Sequence, residues 1–200
     1  MKGILLISAF FFATSVFSQN VNTAIHGIQW KDQLHTASDE DYLSEQEKLI
    51  FFYMNLARVQ PQYFADSVLK TYKGAEKHDN SYLKNSSYVA SLYKELKQLK
   101  PLPPLMPDKI LYQSANCFAE SAGKIGRTGH DRSQTNCKLK YAECCSYGLD
   151  KALDIVVQLL IDHNISDLGH RKIILGNYNY MGVAIQPHKT FRQNAVMNFK

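Results

Sequence analysis

No stretch of this 200-residue chain is long and apolar enough to cross a bilayer as a helix. The longest apolar runs, Ile4 to Ala13 and Ala152 to Ile161, are half the roughly 20 residues a span needs, and the second carries Asp154 and Gln158. The usual catalytic signatures are missing too. There is no HExxH, paired CxxC, phosphate-binding Walker loop, GxGxxG or GxSxG, so the reactions those motifs announce have no support here. A dense basic stripe is also lacking: 23 Lys and Arg are interleaved with 18 Asp and Glu, for a formal charge of +5, which speaks against nucleic acid as a partner. Internal repeats and low-complexity tracts are absent. With 45% apolar and 12% aromatic residues the chain has the material for a packed core.

What is present begins with a leader. Lys2, the run from Ile4 to Ala13, and Val16-Phe17-Ser18 have the order of a secretory signal, so residues 1–18 are expected to be removed. The remainder is long enough for one domain and too short for two. The expected destination is extracellular or periplasmic, with no transmembrane anchor. Export makes the four cysteines candidates for disulfides. Cys144 and Cys145 are adjacent, with Cα atoms about 3.8 Å apart, too close to bridge each other comfortably. Cys117 and Cys137 are therefore expected to take one of them each. The alternative leaves one or both pairs reduced and simply packed.

Residues 19–43 are polar and aperiodic and form a lead-in. Ser44 and Glu47 have the spacing of a capping box, and Ile50, Tyr53, Met54 and Ala57 then recur at helical spacing to Arg58 or beyond. A second helix is expected from Ser87 to Leu99. The prolines between 101 and 107 make an extended connector, and Asp108 caps a third helix with Leu111, Ala115, Ala119 and Ala122 on one face and a glycine stop at 126 or 129. Residues 130–148 are expected to be a polar loop, and 149–161 a buried helix. Residues 181–185 and 194–199 follow as two strands joined by a turn. Early helices and a late hairpin predict an α+β domain.

Three short segments place polar side chains just after a glycine or small residue: Gly129-His130-Asp131, Ala142-Glu143-Cys144 and Gly169-His170-Arg171. With Asn55-Leu56-Ala57-Arg58, the Leu105-to-Leu111 lead into Ala115 and Ala119, Ile173-Ile174-Leu175 and Met181-Gly182-Val183, their order from Ser44 to Phe199 resembles the CAP superfamily. This family, also called SCP-like, includes the cysteine-rich secretory, antigen 5 and pathogenesis-related 1 proteins, and the bacterial short form is nearest. The resemblance implies an α-β-α sandwich over residues 44–200, with a small antiparallel sheet flanked by helices. It also implies a shallow cleft where two histidines and two acids meet. His130 and His170 match the histidines and Glu143 one acid. Asp162 is taken as the other, with Asp167 as its competitor, and the aromatic usually found before the second histidine is replaced by Leu160-Ile161.

Two imidazoles and a carboxylate (His130, His170 and Glu143) suit zinc or another divalent cation, with water in the open positions. The contrasting reading is a hydrogen-bonded knot that orients loops and binds nothing. Asn55 and Arg58 are expected to tie the first helix to a neighbouring loop, and His163 to be solvated or to serve a helix end. The leading functional expectation is a binding module, for a small lipid-like ligand or a protein. A peptidase-like hydrolase using a histidine or a metal is the alternative, though no serine or cysteine stands in an acyl-transfer motif. A structural protein with a vestigial cleft is the third class.

Overall fold

The computed structural model describes residues 32–76, 78–84, 86–137 and 141–200, excluding the side chain of Tyr82. The expected leader lies outside the described residues. The packed unit runs from Gln33 to Lys200. It includes part of the expected lead-in: Leu34, Ala37 and Leu43 are buried, and the Thr36 hydroxyl donates to Leu105 O at 2.8 Å.

Helix α1 (Glu45–Val59) starts at the capping box, with Ser44 N donating to Glu47 Oε2 and Glu47 N to Ser44 Oγ. Glu47 also accepts from Ile185 N at 2.8 Å, so a residue that caps the helix also ties it to the sheet. Two polar side chains on the buried face of α1 hold the proline connector. Asn55 exchanges hydrogen bonds with both the N–H and the C=O of Leu105. The Arg58 guanidinium donates to the carbonyls of Pro103, Ile174, Gly176 and Tyr178 at 2.6–3.0 Å. Irregular backbone that cannot pair with itself takes its donors from these side chains.

Helix α2 (Ser87–Gln98) follows with Ser86 as its cap, then β1 (Met106–Pro107) and α3 (Lys109–Ile125). Asp108 accepts from Ile110 N and Leu111 N at the start of α3, and Gly126, at φ 73°, ends it. Strand β2 (Ala142–Tyr147), helices α4 (Ala152–Ile161) and α5 (Gly169–Ile174), and the hairpin β3 (Tyr180–His188) and β4 (Arg192–Phe199) complete the chain. The fold is α+β with a four-stranded sheet in the order β1-β3-β4-β2.

The sheet is mixed, which corrects the expectation of an antiparallel one. β1 runs parallel to β3, with Met106 N donating to Asn179 O and Asp108 N to Met181 O. Pro107 lacks a donor and is tolerated because β1 is an edge. A second correction concerns residues 142–147, expected as loop and found as β2. Alternation fails there because both faces are buried: Glu143 and Cys145 face α3 while Cys144 and Ser146 face α4, where Ser146 Oγ donates to Gln158 at 2.5 Å. Polar side chains buried with partners erase the period-2 signal.

Helix α3 packs on β3 and β4 through Leu111, Ala115, Phe118, Ala119 and Ala122. The approach is close enough that a Cβ on Gly182 would collide with the backbone of Leu111 and Tyr112. Helices α1 and α4 pack against each other, and α4 touches β2. Among the described residues no helix is long and apolar enough to cross a membrane.

Candidate functional site

Gly129 adopts φ 84°, a left-handed turn that frees the chain leaving α3 to fold back over β2; its N–H donates to the Tyr147 hydroxyl at 2.9 Å. The next residue, His130, lies half exposed with Nδ1 2.9 Å from Glu143 Oε1. Glu143 itself is buried on β2, and its other oxygen pairs with Arg132, whose guanidinium also lies 4.2 Å over the Phe118 ring and donates to Ser114 O. One carboxylate therefore holds a buried cation and an imidazole together. The hydrogen bond to Glu143 raises the His130 pKa, partly opposed by burial and by the Arg132 charge. The sequence reading missed Arg132. The signal for it is that a carboxylate buried on a strand requires a cation, and an arginine stands two residues after His130.

The second histidine is held in a matching way. Helix α4 ends at Asp162 in the left-handed region, φ 55°, which turns its side chain toward the start of α5. Asp162 Oδ1 lies 2.7 Å from His170 Nδ1, and Oδ2 accepts from His170 N and Arg171 N. The carboxylate thus caps the first turn of α5 and orients the imidazole in it. Asp167 is exposed beside Gly169, while the hydrogen bond to the His170 ring is made by Asp162. The structure brings His130, Glu143, His170 and Asp162 to one place: the two rings stand 6.3 Å apart between centres and are inclined at 45°.

Asp162 and His170 line a cleft of about 340 Å³, whose walls also include Cys145 and Tyr147 from β2, Gln158 and Leu159 from α4, and Ile165 and His163 from the following loop. His163 packs its ring against Tyr88 at 5.3 Å. His188 is buried. Its Nε2 faces Arg127 O and its Nδ1 accepts from Thr190 N and Phe191 N, so it pins the β3–β4 turn.

The disulfide is Cys117–Cys137, with Cα atoms 5.7 Å apart, and Cys144 and Cys145 are free. This corrects the expected pairing of each with one of the adjacent cysteines. Strand alternation puts Cys144 on the α4 side, with its thiol 3.9 Å from His170 O. Cys145 lies on the α3 side, 3.9 Å from Gly129 O and 3.8 Å from His130 Nδ1. Burial pushes both thiols well above their usual pKa range. Cys145 and Glu143 address the same nitrogen of His130, whereas an acid–histidine–nucleophile relay needs them on opposite nitrogens. Cys145 and His130 therefore form no such relay. They do belong to a compact group of donors: one atom each from His130, Glu143 and Cys145, all within 4.8 Å of one another, could hold a metal ion.

No family model matches the chain, and no curated protein matches it either.

Proposed function

We propose that this is an exported domain of the CAP type, an α-β-α sandwich whose cleft binds a lipid-like ligand or a protein partner, with a divalent cation as part of the site. The observation that carries the reading is the meeting of two imidazoles, each oriented by its own buried carboxylate, with the second of them, His170, on the wall of the cleft. A carboxylate on one ring nitrogen fixes the tautomer and leaves the other free, which is how metal-binding histidines are commonly supported. A ring separation of 6.3 Å is near the upper limit for sharing one ion at roughly 2.0–2.1 Å per nitrogen. His130 and His170 supply the donor nitrogens in this reading, with Glu143 and Asp162 holding their rings, and zinc is the ion that best suits them. Bound there, the ion would supply a positive anchor for a carboxylate or carbonyl of the ligand, whose apolar part meets Leu159 and Ile165. The Cys117–Cys137 bridge supports an oxidising destination. The acyl-transfer form of a hydrolase draws no support from the site, because Glu143 and Cys145 address the same nitrogen of His130.

Zinc titration followed by thermal unfolding tests the proposal. The wild-type midpoint is expected to climb with zinc concentration, and His130→Ala to abolish that climb while leaving a cooperative transition. A midpoint that ignores zinc in wild type and variant alike rejects the metal-dependent reading.

A further inference from the structure

Cys145 is a donor that neither acid–histidine pair uses. It lines the cleft, its sulfur is 3.8 Å from His130 Nδ1, and strand alternation sends its neighbour Cys144 to the opposite face. We infer that His130, Glu143 and Cys145 are the three protein donors of a site for a thiophilic divalent ion of the zinc class, with the fourth position open to the cleft. The inference rests on the divalent-ion reading above and replaces His170 by Glu143 and Cys145 in its donor set.

Three observations carry it. The three donor atoms are already gathered within 4.8 Å of one another, so little rearrangement separates them from tetrahedral coordination. Glu143 can serve through Oε1 because its Oε2 is held by Arg132, the kind of outer hydrogen bond that fixes a ligating carboxylate. His170, by contrast, is committed to α5 through Asp162, which holds its ring and its backbone N–H together. Its ring centre stands 6.3 Å from that of His130. Binding expels the Cys145 thiol proton to solvent and moves the imidazole proton of His130 from Nδ1 to Nε2, on a ring that is half exposed. A nitrogen, oxygen and sulfur set favours zinc, cobalt and cadmium over magnesium or calcium, which take oxygen ligands.

Cobalt(II) titration of the full chain with its disulfide intact is the test, because thiolate ligation gives a charge-transfer band that nitrogen and oxygen ligands do not. Wild type and C144S are expected to develop the band and saturate at one ion per chain. C145S and C145A should lose it and weaken zinc binding by roughly a hundredfold, while far-ultraviolet circular dichroism confirms that they fold. H170A should keep the band. Cobalt bound without the band overturns the assignment of Cys145 and leaves the two-histidine site standing. A band lost in C144S or H170A but kept in C145S overturns it as well. If neither cobalt nor zinc binds wild type, the inference and the divalent-ion reading fall together.

Discussion

At the scale of single residues, the site depends on charges taken out of water and given partners. Glu143 is 2% exposed and Arg132 6% in their side chains, so removing the negative charge strands a buried guanidinium. Glu143→Gln is expected to cost about 3 kcal/mol in urea denaturation. It should also return the His130 titration, followed by NMR, toward the ordinary value of about 6.5. In the wild type that titration lies higher, because Glu143 favours the imidazolium. The stabilisation from the pair is therefore fully present below the unfolded-state pKa and is lost as pH rises through the folded one. Solvent screening of the half-exposed ring keeps this effect small. Arg58 poses the same problem away from the cleft. It is 1% exposed, burial lowers its pKa to about 10, and among the described residues its hydrogen bonds go to carbonyl oxygens. Arg58→Met takes a donor from four carbonyls, of which Gly176 O keeps the N–H of Tyr178, with an expected loss of about 3 kcal/mol by chemical denaturation. Arg58→Lys should recover less than half of it, since a single ammonium cannot span the fork.

At the scale of elements, helix ends were legible and strand β2 was not. Ser44 with Glu47, Asp108 and Gly126 announce boundaries through local hydrogen bonding and backbone freedom, and the helices begin and end where those residues stand. The run 142–147 carries no local mark, because Glu143 and Ser146 are polar residues buried against Arg132 and Gln158, partners distant in sequence or in another helix. The contact between α3 and β3 has the opposite character: it depends on one missing side chain. Gly182→Ala would drive a methyl group into the backbone of Leu111 and Tyr112. The expected loss is about 3 kcal/mol, the upper end of overpacking costs, read as a lower urea midpoint with an unchanged slope.

At the scale of the whole molecule, the disulfide ties the segment that carries His130 and Arg132 to α3. Cys117 and Cys137 are 20 residues apart, a loop for which chain-entropy arguments give about 3 kcal/mol. Replacing both by serine should lower the thermal midpoint by several degrees and broaden the NMR signals of His130 more than those of His170, whose support comes from Asp162 instead. Equal broadening of both rings would show that the bridge steadies the fold without steadying the loop in particular.

The sequence by itself determined the caps, the apolar face of α3, the proline connector and the late hairpin, all written in nearest-neighbour chemistry or in short periodic patterns. The candidacy of His130, Glu143 and His170 came from the order of several short segments along the chain and the resemblance that order carries. Which acid serves His170 was decided only by the fold, because the left-handed backbone at Asp162 aims one carboxylate at the ring while Asp167 points to solvent. The tertiary structure also decided which cysteines pair and which one reaches the cleft. Proximity across 20 residues and the alternation of a strand are consequences of packing, and neither leaves a trace in the order of the residues themselves.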